Sequence, residues 1–250
     1  MVAYTADFFD LFAPNSKMSA QTLVPIVLDL AGGIGSVLDV GCGIGLWLAE
    51  WSACGVVDVV GVDGDYVSRE QLLIDRFVPR DLSTPLSLGR KFDLVMSLEV
   101  AEHLDASVAA MFVKSLCDHA TETILFSAAV PGQGGEHHVN EQWPSYWRPL
   151  FAEHGFKVFD VVRPVIWANE GVHSWYRQNV LLYARGQMAQ RLSAFESGTL
   201  LDVAHPAEFE RRCLTRERAI REVIPKPVLS AARKVKDRLK NHSADVKPHD

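Results

Sequence analysis

The stretch VLDVGCGIGLWLAE, residues 37–50, joins a strand signal to a helix signal through a run of alternating glycines. Val37-Leu38-Asp39-Val40 is short, apolar and rich in β-branched residues, the pattern of a buried parallel strand. Gly41, Gly43 and Gly45 follow, and Leu46, Leu48, Ala49 and Trp51 then begin a helical pattern. Glycines between a strand and a helix let the backbone approach a ligand that side chains would hold away. The free N–H groups of the first helical turn can meet polar or anionic ligand atoms. The spacing is D-x-G-x-G-x-G, with an acid inside the strand, and differs from the dinucleotide fingerprint G-x-G-x-x-G. A second strand signal, 59–63, ends in Asp63-Gly64, roughly twenty residues beyond the glycines, where doubly wound folds hold a ribose diol. A carboxylate suits that task because it accepts two hydrogen bonds; the alternative for Asp63 is a turn residue before Gly64.

Residues 37–50 resemble the first motif of the class I S-adenosylmethionine (SAM)-dependent methyltransferases, and the resemblance covers roughly residues 18–186. It implies an α/β fold: a seven-stranded, doubly wound, mostly parallel sheet whose strand seven returns antiparallel between strands five and six. The cofactor implied is SAM. Its binding residues would be Asp39, Gly41, Cys42, Gly43 and Gly45 in the first motif, with Asp63 and Gly64 on the ribose. Asp81 and Leu82 would face the adenine, and Leu98 and Glu99 would lie after strand four beside the methionine moiety. The competing reading of the glycine turn is a nucleotide dehydrogenase.

Net charge is -6 over 250 residues, so the basic footprint of a general nucleic-acid binder is not expected. The exit from strand four, Ser97-Leu98-Glu99-Val100, also lacks the Asn/Asp-Pro-Pro-aromatic stretch of amino-methylating DNA and RNA enzymes. Cys42, Cys54, Cys117 and Cys213 have no zinc or CxxC spacing. A reduced, cytoplasmic setting is expected, with neither a signal peptide nor a membrane span.

Along the chain, residues 1–16 read as a short helix or lid, and 19–30 as a helix that Pro25 starts or kinks. Further strands are expected at 77–82, 91–100, 122–130, 156–162 and 178–184. Helices are expected at 68–74, 106–119 and from about 145 to Gly155. The domain expected is 1–186, with 187–250 a basic helical extension ending in a polar, disordered tail. Within it, 228–239 is a basic amphipathic stretch suited either to solvent or to an anionic membrane surface.

Methyl transfer from a sulfonium needs alignment and exclusion of water more than covalent help, though a hydroxyl acceptor benefits from a base. The loop at 131–140 supplies His137 and His138 as candidate bases, with His138 favoured because it shares a face with Asn140 if Val139 is extended. His103, Asn140, Trp143 and Trp147 are the candidate acceptor-binding residues; either histidine could instead be a structural loop residue. No metal is expected, because neighbouring side chains diverge and no acid lies at a familiar spacing. The expected activity is methylation of a small molecule, sugar or glycan, with oxygen favoured over nitrogen as the acceptor atom. The alternative is a non-catalytic SAM-fold protein that binds a partner through its basic tail.

Overall fold

The computed structural model describes residues 6–196 and 201–211. The chain divides into two compact units, Met1–His205 and Pro206–Asp250. The basic stretch at 228–239 lies outside the described residues.

Seven strands form one sheet: β1 (Ser36–Val40), β2 (Asp58–Asp63), β3 (Phe77–Pro79), β4 (Phe92–Leu98), β5 (Ala120–Ser127), β6 (Lys157–Phe159) and β7 (Leu181–Ala184). Their order is β3-β2-β1-β4-β5-β7-β6. β1, β2, β3, β4 and β5 pair in parallel, and β7 runs antiparallel to both neighbours. This is the expected doubly wound architecture. The order reverses between β2 and β4 on either side of β1, which opens a crevice at the strands' carboxyl ends.

The central strands are buried on both faces, and their alternating side chains divide the core in two. Val37, Leu94, Met96 and Leu125 join the layer under α1 (Ala6–Ala31) and α2 (Leu46–Ala53), with Leu23, Val27, Leu48 and Trp51. Leu38, Val95, Ile124 and Phe126 join the layer under α3 (Ala109–His119) and α4 (Pro144–Ala152), with Phe112, Leu116, Trp147 and Phe151. No helix among the described residues is long and apolar enough to cross a membrane.

The segments before residue 31 and at 68–74, 77–82 and 178–184 depart from the sequence reading. The separate pieces expected before residue 31 are one helix, α1, which continues through both Pro14 and Pro25. Where a helix was expected at 68–74 there is only a 3-10 turn, Arg69–Gln71, after which Leu73 donates its N–H to the Ile44 carbonyl and so braces the glycine turn. β3 ends at Pro79 on the sheet edge, where a missing N–H is tolerated. β7 starts only at Leu181, because Gln178 and Asn179 close α6 (Ser174–Asn179).

A short helix, α5 (Arg163–Ile166), anchors this region through one buried cation. The Arg163 guanidinium donates through Nε and Nη2 to Asp160, and through Nη1 to the carbonyls of Gln178 and Leu201. Arg163 is 1% exposed, so removing its counter-ion strands a desolvated charge. Asp160→Ala is therefore expected to lower stability by about 3 kcal/mol. Urea denaturation of the two proteins measures this.

Candidate active site

The turn after β1 is built on three glycines in the left-handed region: Gly41 (φ 90), Gly43 (φ 53) and Gly45 (φ 83). A Cβ on Gly41 would stand 2.3 Å from Val100, so glycine is required by both conformation and space. Asp63, at the end of β2, holds the turn in place. Its Oδ2 accepts from the Gly43 N–H at 2.7 Å, and its Oδ1 accepts from the Gly64 N–H at 2.7 Å and from the Tyr66 hydroxyl. Burial pushes the Asp63 carboxyl up, against those three donors. Asp39 is also buried, and burial followed by the charge of Asp63 raises it well above the usual range. The Cys42 thiol is likewise raised well, first by burial and then by Asp39.

A cavity of about 220 Å³ opens at these carboxyl ends. Gly41, Cys42 and Gly43 line it together with Leu98, Glu99, His103 and His138, so seven of the expected site residues meet there. Trp47, Glu102, Gln133, Trp175 and Tyr176 are also part of its wall. Trp47 meets Tyr176 edge to face at 5.2 Å. Tyr176 is buried, which pushes its hydroxyl up to about 12.

Glu99 has a left-handed backbone (φ 56), unusual for a residue with a Cβ. Its side chain accepts from Gln133 Nε2 at 2.8 Å and Asn179 Nδ2 at 3.0 Å, and its N–H donates to the Ser127 carbonyl. Burial raises its carboxyl. Glu102 is 1% exposed and is raised well above the usual range, by burial and then by Glu99. Its carboxylate accepts from the Ala129 N–H, while Oε2 is buried without a hydrogen-bond partner.

His103 and His138 stack edge to face, with ring centroids 4.8 Å apart. Burial, followed by the neighbouring His138, lowers His103 to about 4, so it is neutral at neutral pH; it also hydrogen-bonds the His137 backbone. His138 Nδ1 lies 2.9 Å from Glu141 Oε1. Glu141 also accepts from the N–H groups of Gly132 (2.6 Å) and Gly134 (2.8 Å). Burial opposes its ionisation, but the hydrogen bonds from His138 and the two backbone amides prevail and hold it below the usual range. Gly135 leaves room for the imidazole: a Cβ there would lie 2.3 Å from His138 Nε2.

The other ten expected site residues lie outside the cavity lining. His137 is exposed, with φ 60, and its backbone hydrogen-bonds His103. Asn140 is buried behind the cavity, its Oδ1 accepting from Gln142. Trp143 precedes α4 as its N-cap residue and is not among the lining residues. Trp147 is 2% exposed and packs on Phe126 in the core. Asp39, Gly45, Asp63 and Gly64 lie outside the cavity lining, in and around the glycine turn. Asp81 and Leu82 border a separate, small hollow with Val40, and Asp81 is engaged with Ser83. Glu102, Gln133, Glu141, Tyr176 and Asn179 had not been singled out. Glu102, Gln133 and Glu141 stand in or beside motifs already quoted, whereas nothing local marks Asn179, eighty residues from Glu99.

Residues 5–162 match the family described as "Methyltransferase domain", and the chain belongs to that family. Among solved structures, it resembles a sugar N-methyltransferase from Streptoalloteichus (18% identity, TM-score 0.56, covering 74% of this chain and 94% of that one). It also resembles an amino pentose methyltransferase from Micromonospora echinaspora with bound SAM (14%, TM-score 0.55, 74% and 99%). A third is the magnesium protoporphyrin IX methyltransferase of Synechocystis with bound S-adenosylhomocysteine (20%, TM-score 0.52, 69% and 84%). A comparison with curated protein sequences finds no match. At these identities the structural likeness establishes the fold.

Glu141 fastens the loop after β5 at three points, so Glu141→Ala is expected to cost about 2–4 kcal/mol through its lost charge-assisted hydrogen bonds. The melting temperature should fall, and amide exchange should quicken at Gly132 and Gly134. Unchanged protection at both amides would contradict this geometry.

Proposed function

We propose that this chain is a SAM-dependent methyltransferase acting on a hydroxyl of a small-molecule, sugar or glycan acceptor. The observation that carries the reading is the shared cavity: the glycine turn lines it, and so do His103, Glu102 and the Glu141-backed His138. The residues suit SAM. A narrow backbone cradle meets a cationic ligand's needs where Glu99, a carboxylate among amides, can accept from an ammonium. SAM, when bound, supplies a methyl group already activated on a sulfonium.

The turn at 41–43 and Glu99 would hold the methionine end of SAM, and Asp63 the ribose diol once the Tyr66 hydroxyl yields its place. Leu98 and Trp47 would exclude water. Asp81 and Leu82, on the loop after β3, would face the adenine. His138 would take the proton of the acceptor hydroxyl as the new C–O bond forms and the S–C bond breaks, its Nδ1–H donated to Glu141. An uncharged amine could attack unaided, so a carboxylate-backed histidine favours oxygen.

Two outcomes test the reading. Asp63→Ala should weaken SAM binding by about 1.5–3 kcal/mol on calorimetry, whereas Tyr66→Phe should leave it unchanged or tighter. A folded Asp63→Ala protein with normal SAM affinity would overturn the cofactor assignment. His138→Ala should lower turnover by about 10²–10⁴-fold with SAM affinity nearly intact, measured as S-adenosylhomocysteine release with sugar and phenol acceptors. A variant that melts several degrees lower yet turns over almost normally would make His138 structural.

A further inference from the structure

We infer that Glu102, His103 and His138 form a binding site for a divalent transition-metal ion at the acceptor side of the cavity. One ligand atom from each of the three lies within 4.8 Å of the others. All three line the same cavity, so an ion there would have positions open toward a ligand.

The surroundings are those of a ligand set rather than of three loop residues that happen to be close. A metal-binding histidine is fixed by a hydrogen bond at its second ring nitrogen, to a carboxylate or a backbone carbonyl. Both histidines here have such a bond: His138 through Nδ1 to Glu141, and His103 to the His137 backbone. With Nδ1 so engaged, Nε2 is the His138 atom left for an ion. Gly135 keeps that atom from colliding with a side chain. Glu102 adds an independent observation. One side of its carboxylate is anchored by the Ala129 N–H, while Oε2, with no partner, is buried in the cavity wall at a residue 1% exposed. A buried carboxylate oxygen left unpaired is costly, and an ion would satisfy it.

Two imidazoles and a carboxylate are borderline donors, suited to zinc, cobalt, manganese or ferrous ions more than to magnesium or calcium. The inference rests on reading this end of the cavity as the acceptor end, and it changes the role of His138. With an ion in place, Nε2 is a ligand and no longer the base. The acceptor hydroxyl then occupies an open position, the ion acidifies it, and its proton leaves to water as the C–O bond forms and the S–C bond breaks. Hydroxyl acceptors with a second oxygen nearby would be preferred, because they can chelate.

The test uses the full chain, treated with chelator, dialysed and titrated with Co²⁺ alone while visible absorption is followed. The expected result is uptake of one ion per chain with ligand-field bands. Glu141→Ala should weaken that uptake by about 10–100-fold, the range for an outer partner of a metal-bound histidine. His103→Ala and His138→Ala should weaken it further. Glu102→Gln should weaken it as well, and should that variant fail to fold, the two histidine variants still answer the question. No uptake by the wild-type protein below millimolar Co²⁺, or equal uptake by both histidine variants, would overturn the site. In that case an acceptor reaction that still depends on His138 would leave the base reading standing. Loss of SAM binding by the wild-type chain would instead remove the reading on which both rest.

Discussion

The buried carboxylate of Glu99 joins three parts of the chain that no local interaction could bring together. It follows β4 directly, receives Gln133 from the loop after β5, and receives Asn179 from the end of α6. Asn179 also donates to Gln133 Oε1 at 2.8 Å, so the two amides and the carboxylate close on one another. A carboxylate in that position demands donors, and both elements must be placed to supply them. The left-handed backbone at Glu99 is the local strain that aims the side chain inward. Arg163 secures the same region from behind, bonding the Gln178 carbonyl next to Asn179.

The parallel sheet supplies the other half of the site. Strand order reverses beside β1, so the turns after β1 and β4 and the loop after β5 converge on one crevice. Asp63 then ties the glycine turn to β2, and Glu141 ties the β5 loop to itself through Gly132, Gly134 and His138. Each flexible backbone segment is thus held by one buried or half-buried acid. Such pre-organisation suits a reaction that depends on alignment more than on covalent chemistry.

Much of the fold was legible because its signals are local. Apolar β-branched runs marked the strands, and the glycine spacing at 41–45 marked the ligand turn. The elements misread were those settled by tertiary contacts. Residues 68–74 carry a helical pattern, yet the segment is drawn along the glycine turn by the Leu73 to Ile44 hydrogen bond. Gln178 and Asn179 look like the start of a strand, but their amides are spent on buried partners. Around the site the contacts are non-local: His137 and His138 are neighbours in sequence, and it is His103, thirty-five residues away, that packs against His138. Trp147 reads as an acceptor platform from composition, and only the α4 packing places it in the core.

Calorimetric titration of the wild-type chain with SAM, alongside the same titration with NADH, bears most directly on the claim that the glycine turn and Glu99 serve a sulfonium cofactor. The account predicts saturable binding of one SAM per chain and no measurable heat with NADH. Binding of NADH at comparable affinity, or the absence of SAM binding by the folded protein, would contradict it.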